Sequence, residues 1–419
     1  MWLHASYIIQ ICCEYAGYCI ESNDFVNRIY YHVPCVAVGG AAAPRGPALL
    51  TTMILSTVVP IATAYAAAPI IGGQGDFKYQ YMPELLQAPA GTAIVNAHGL
   101  VTDKEGNIIL TYQNDQKTDF NCLLKWKPDG TGGEYLTGGG RALCDGTPHG
   151  LKIADEFDWQ GKPTQYLYHA NNNQKLTKTT LDGTIVWQRV GNFGQDPSLP
   201  YRPTWFAVPP ESRYVYLCDG YGSNNVYPFD RVTGTFMNRT YGGKGGMEQH
   251  GKFSTNHGCT YDPRNGMIAV SDRANHRLEY FIFDNASPNV FTYSHTKARA
   301  ASRLPVSARS SVHAPRPPSP LPPPLRLRAI QDMRGAMGGA TLPCNLRMYP
   351  ELDGRAISPA LDGPVAVLDK ENTVVSIVNV SVLLAAEQHK HPHDATFLPS
   401  GDMVVATWAP GRVSYWKKL

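Results

Sequence analysis

His98-Gly99-Leu100-Val101-Thr102-Asp103-Lys104-Glu105-Gly106-Asn107-Ile108-Ile109-Leu110 reads as an apolar strand, a polar turn and a second apolar strand. Its opening phrase recurs: Ala97-His98-Gly99-Leu100 is followed by Pro148-His149-Gly150-Leu151, Asn256-His257-Gly258-Cys259 and Pro392-His393-Asp394-Ala395. Pro203-Thr204-Trp205-Phe206-Ala207-Val208 and Pro343-Cys344-Asn345-Leu346-Arg347-Met348 hold the same place without the imidazole. The anchors fall at 98, 149, 204, 257, 344 and 393, in steps of 51, 55, 53, 87 and 49. A tract between about 296 and 330 accounts for the long step, and without it that interval returns to about 52. Six copies of a short all-β unit predict an all-β, six-bladed β-propeller in which each anchor begins an innermost strand.

Innermost strands line the central channel, so His149, His257 and His393 are expected to converge on one axis. Imidazole is a poor core filler, and four of the 13 histidines stand at six equivalent positions. Three neutral imidazoles from different blades make a nitrogen-rich site for Zn2+ or a related divalent ion, with an open position for water or substrate. His98 is an additional channel residue, a polar lining or a fourth ligand. Taken singly, each of these histidines also reads as a hydrogen-bonded turn residue.

A chain of 419 residues could hold two or three average domains, but a propeller of this size is one domain. Residues 69–419 are assigned to it, interrupted by the insertion at about 296–330. Gly 39, Pro 33 and Tyr 23, with 17% charged residues, suit short strands and tight turns, and no long amphipathic helical pattern appears. The formal charge of +3 owes everything to seven basic residues, Lys297, Arg299, Arg303, Arg309, Arg316, Arg326 and Arg328, which lie in the insertion without an acid among them. The rest of the chain is net acidic, which excludes a nucleic-acid footprint. Eight prolines between Pro305 and Pro324 prevent the insertion from forming a ladder, so it is expected to be disordered.

Residues 1–68 read as a leader. Arg45, the apolar run Leu49 to Val59 and the small-residue phrase Ala64-Tyr65-Ala66-Ala67 have the order of a secretory signal at about 45–66. The expected localisation is secreted, with a membrane anchor by an uncleaved signal as the alternative. Beyond the leader, five cysteines remain, an odd number, and Cys122 with Cys144 is the best pair. Asn238-Arg239-Thr240 and Asn379-Val380-Ser381 are glycosylation acceptors if the compartment is eukaryotic.

Two further stretches resemble each other. Tyr214-Val215-Tyr216-Leu217-Cys218-Asp219-Gly220-Tyr221 and Met267-Ile268-Ala269-Val270-Ser271-Asp272-Arg273 both end a strand in Asp and a turn, and Asn275-His276-Arg277 follows. This is similar to the NHL-repeat pattern, and turn residues at a channel mouth can reach a ligand. With the three histidine phrases, the chain resembles the peptidyl-α-hydroxyglycine α-amidating lyases, six-bladed NHL propellers that release a peptide amide and glyoxylate. The resemblance covers roughly 95 to 419, apart from the insertion. It implies zinc on His149, His257 and His393, a catalytic tyrosine at Tyr221 and an arginine at Arg273. It also implies a structural Ca2+ held by the backbone carbonyls of Leu100 and Leu151 and by Asp394. Two departures stand out: Leu110-Thr111-Tyr112-Gln113-Asn114-Asp115 lacks the arginine expected for a substrate carboxylate, and Gly222 replaces a half-cystine.

The implied substrate is a small peptidyl- or acyl-hydroxyglycine made by a separate hydroxylating monooxygenase, and the implied protein is a monomer. Tyr221, its pKa lowered by the ion and by Arg273, would act as base. A bland reading packs Tyr221 beside a turn and pairs Arg273 with Asp219. Other functional classes stay open as well: a non-catalytic propeller that binds a protein partner, or a calcium-dependent lactonase-like hydrolase with a channel rich in Glu, Asn and Asp.

Overall fold

A computed structural model describes residues 68–114, 120–191, 196–297 and 342–419. The leader and most of the insertion lie outside these residues. The described strands form six antiparallel sheets, five of four strands and one of five. Blade one holds Asn96–Thr102, Ile108–Gln113, Leu123–Trp126 and Glu134–Tyr135. Blade two begins at Pro148–Phe157, blade three at Trp205–Ala207, blade four at Asn256–Asp262, blade five at Arg347–Tyr349 and blade six at Pro392–Phe397. The six-bladed propeller read from the anchors is the fold.

The ring closes through the N-terminal strand Phe77–Tyr81, whose Tyr79, Gln80 and Tyr81 pair with Lys418, Lys417 and Trp416 of blade six. A further strand, Ile71–Gln74, was not foreseen; it adds a fifth strand to that sheet, and Gln74 also bonds Ser376 and Ile377 of blade five. The outer strand of blade four, Phe291–Lys297, takes the first two residues assigned to the insertion.

Each blade is packed between two neighbours, so its central strands are apolar on both faces. Tyr214–Cys218 and Met403–Thr407 are buried at every position. This produces continuous apolar runs in place of strict alternation. Val101, Ile109, Leu151 and Leu167 fill the layer between blades one and two, and Leu110, Trp126, Val404 and Tyr415 fill that between six and one. Burying each large apolar side chain contributes about 1.5–3 kcal/mol. Cys122 and Cys144 are disulfide-bonded as expected, whereas Cys218, Cys259 and Cys344 are free and buried. Among the described residues, no helix is long and apolar enough to cross a membrane.

The histidine phrases share a local irregularity. The register of the first two strands slips between Ala97 and Leu100, Pro148 and Leu151, Asn256 and Gly258, and Pro392 and Asp394. A bulge re-aims the side chain it carries, and here it turns each imidazole toward the axis. The glycine after the histidine permits the close approach of the next inner strand. A Cβ on Gly150 would lie 2.2 Å from the Thr204 carbonyl oxygen, and one on Gly258 would lie 2.6 Å from that of Cys344.

Candidate functional site

His149, His257 and His393 come from blades two, four and six, and all are at most 1% exposed. Their ring centroids form a nearly equilateral triangle with sides of 4.9, 4.6 and 4.7 Å. Each Nδ1 faces a backbone carbonyl of the following blade: His149 meets Thr204 at 2.9 Å, His257 meets Cys344 at 2.8 Å and His393 meets His98 at 3.4 Å. A carbonyl only accepts, so the proton sits on Nδ1 and the lone pair on Nε2. Carbonyls that fix the imidazole in this way are the usual outer support of metal-binding histidines.

The Nε2 atoms of His149 and His393 are buried and have no hydrogen-bond partner. Burial, the largest influence, pulls the pKa of His149 down to about 3 and holds His257 and His393 well below the ordinary imidazole value. All three rings are therefore neutral at pH 7, as ligation requires. Orphaned neutral donors of this kind fit a divalent ion of the zinc type.

His98 joins them from blade one. Its ring lies 4.6 Å from His149 and 4.7 Å from His393, and ligand nitrogens of these three residues fall within 4.8 Å of one another. The four imidazoles thus make two overlapping triads that share His149 and His393. His98 has no hydrogen-bond partner at either ring nitrogen, so nothing fixes its tautomer. The Nε2 of His257 faces the Tyr221 hydroxyl at 3.0 Å. Support by a carbonyl favours His257 as the third ligand, and proximity favours His98.

Tyr221 sits in the turn after Tyr214–Cys218, and Arg273 begins the 3-10 turn Arg273–Asn275 after Met267–Asp272. Both turns are held by the preceding aspartate. Asp219 accepts from the backbone N–H groups of Arg202 and Ser223 at 2.6 and 2.7 Å, and Asp272 accepts from Ser254 N at 2.7 Å and Asn275 Nδ2 at 2.7 Å. Arg273 Nη1 donates to the Tyr221 hydroxyl at 3.2 Å, with its guanidinium carbon 5.2 Å from the ring centre. Arg273 is thus directed at Tyr221 rather than paired with Asp219. Tyr221 is 36% exposed. Burial of its hydroxyl end raises the phenol pKa, and Arg273 opposes this without overcoming it. The expected lowering is not produced by the chain alone.

The residues expected to hold calcium meet a side chain that the sequence did not point to. Asp394 and the Leu100 carbonyl are both taken by the Arg347 guanidinium of blade five. The Asp394 carboxylate also accepts from Leu100 N at 2.7 Å, Asn345 Nδ2 at 3.0 Å and Ala395 N at 2.9 Å. Leu151 stays on the adjoining inner strand, where its backbone N and Cβ crowd Gly99. Arg347 was missed because nothing in its phrase distinguishes a channel side chain from one on a turn. Trp205 was missed as a wall of the site; its ring lies 6.0, 6.1 and 6.0 Å from those of His149, His257 and His393.

No protein-family model matches the chain. Over 231 residues it is 26% identical to the peptidyl-glycine alpha-amidating monooxygenase of Mus musculus, a match covering 50% of this chain and 23% of that protein. The Rattus norvegicus protein of the same name is 25% identical over 206 residues, covering 44% and 20%. The matches span about a fifth to a quarter of the length of these curated relatives. Among solved structures, a luciferin-regenerating enzyme aligns with 84% of this chain and 96% of its own at TM-score 0.47 and 8% identity. A streptogramin B lyase aligns with 80% and 97% at TM-score 0.43 and 9% identity. The weak sequence similarity to an amidating enzyme, with the histidine cluster, fits a propeller enzyme.

Proposed function

We propose that the chain is a metal-dependent lyase that cleaves the C–N bond of peptidyl-α-hydroxyglycine to give a peptide amide and glyoxylate. The observation that carries this reading is the Tyr221 hydroxyl, held by Arg273 at the edge of three carbonyl-anchored imidazoles, where a bound ion would take its place as the partner of the His257 Nε2 lone pair. In the reaction the substrate hydroxyl loses its proton, its oxygen electron pair becomes the aldehyde C=O, the C–N bond breaks and the nitrogen takes up a proton. A divalent ion held by His149, His257 and His393 would supply Lewis acidity to that hydroxyl.

Tyr221 is the group suited to carry the proton. Its oxygen accepts from Arg273, so a phenolate there would be stabilised by the guanidinium, would take the proton of the substrate hydroxyl and, as the phenol so formed, would return it to the departing nitrogen. Arg273 offers further N–H groups in a planar fork, a match for the substrate carboxylate in the absence of the first-blade arginine. Trp205 and the inward imidazoles exclude bulk water. The oxygen-rich channel of a calcium-dependent hydrolase has no counterpart among the described residues around these rings. The hydroxylating partner enzyme, monomeric state and secreted location belong to the same proposal.

The test is a glyoxylate-release assay on purified chain of known metal content, with a peptidyl-α-hydroxyglycine as substrate. Stoichiometric zinc-type metal and enzyme-dependent glyoxylate are expected. His257→Ala should abolish both, while His98→Ala keeps them if His257 is the third ligand. A metal-loaded protein that releases no glyoxylate would remove the lyase reading and leave a binding propeller.

A further inference from the structure

The seam between blades five, six and one is built around a buried carboxylate. Asp394 is 0% exposed and stands where the other histidine phrases have Gly99, Gly150 and Gly258. Both of its oxygens are engaged: Oδ1 accepts from Asn345 Nδ2 at 3.0 Å, Arg347 Nε at 3.2 Å and Ala395 N at 2.9 Å, while Oδ2 accepts from Leu100 N at 2.7 Å and Arg347 Nη2. The same Nη2 donates to the Leu100 carbonyl. A second basic side chain feels this charge: Lys152 is buried and donates to Thr260 Oγ1 at 2.8 Å.

We infer that Arg347 is a covalently tethered cation that does the work of a structural metal ion, and that this propeller neither binds nor needs Ca2+ at its central seam. Calcium requires six to eight oxygen ligands at 2.3–2.6 Å. Here the carboxylate and carbonyl that would serve are already saturated by guanidinium N–H groups. A dication would also stand against the fixed guanidinium charge, with one carboxylate to offset both, in a region with little water to screen the repulsion. One planar fork therefore ties together three blades that are far apart in sequence. The inference is independent of the proposed lyase chemistry, since it concerns none of the groups assigned to the reaction.

The arrangement also defines a latent site. Removal of the guanidinium would free the Asp394 carboxylate and the Leu100 carbonyl together. This all-oxygen set suits a hard cation.

Thermal unfolding and metal analysis of the full chain test the inference. Wild type purified from calcium-containing buffer should carry no stoichiometric calcium, and its Tm should be the same in millimolar Ca2+ as in a calcium chelator. Arg347→Ala should melt lower by roughly 5 °C or more, because it leaves a buried carboxylate unpaired. Millimolar Ca2+ should restore much of that loss, and NaCl of equal ionic strength should not. One calcium per wild-type chain, or a rise of several degrees in the wild-type Tm with Ca2+, would overturn the inference; so would an Arg347→Ala protein as stable as wild type without the ion. If Arg347→Ala fails to fold, the wild-type measurements still decide the point, and Arg347→Lys, which retains charge without the fork, should remain calcium-insensitive and melt between the two.

Discussion

Tyr221 stands in a turn and Lys152 on an innermost strand, and their environments call for different experiments. Tyr221→Phe removes the hydroxyl while keeping the ring that packs against His149 and His257. Turnover should fall by about 10²-fold or more, with metal content and Tm nearly unchanged. Arg273→Lys should also be costly, since an ammonium lacks the planar fork that faces the phenol; persistent activity in Tyr221→Phe would assign the proton transfer to another group. For Lys152, burial and then the nearby Arg347 lower the ammonium pKa from 10.5 to about 7, with Asp394 opposing. Between these two values the unfolded chain holds the extra proton, so the lysine's penalty on folding is full below about pH 7 and fades as the pH rises toward 10.5. The Tm of wild type relative to Lys152→Met should therefore improve from pH 7 to pH 9.5, and a difference that is flat with pH would show that the ammonium stays charged. The histidines were legible because an apolar strand has no use for four imidazoles, and Tyr221 and Arg273 because they end equivalent strands. Arg347 and Lys152 were not, since a long cationic side chain carries no sign in the sequence of whether it turns inward or into water.

At the level of the strand, the His-Gly pair is a single device. The bulge aims the imidazole, and the missing side chain after it lets the neighbouring carbonyl come close enough to hold Nδ1. Gly150→Ala would put a methyl group 2.2 Å from the Thr204 oxygen that His149 uses. The inner strands must then separate, which should destabilise the protein by about 1–3 kcal/mol and weaken metal binding as well. Gly161→Ala, at a turn with open space around it, is strained by its φ of +77° but should leave metal affinity untouched. Equal metal affinity in Gly150→Ala and wild type would refute the coupling. The strand pattern itself was readable from apolar runs and turns, but the register slips were not, because a one-residue bulge leaves the spacing of the phrases unchanged.

For the whole molecule, the repeat length gave the number of blades, and the last blade has three strands of its own after residue 391, so Phe77–Tyr81 supplies the fourth. The added strand Ile71–Gln74 escaped notice because four residues containing two glycines present no periodic signal. Removing residues 68–81 should leave the edge Arg412–Lys418 unpaired and expose Phe397, Val405 and Trp416, the layer that Tyr79 and Tyr81 cover. Such a protein should be recovered mainly as aggregate, and a soluble monomer with native Tm would show that closure is dispensable. The same pairing introduces a waiting time. Tyr81 leaves the ribosome 335 residues before its partner Trp416, which at cellular elongation rates is roughly 20 s to a minute. Throughout that interval the velcro strand is an open edge in a crowded cell, and Lys78, its second residue, is the kind of charge that discourages a stray strand from pairing there first.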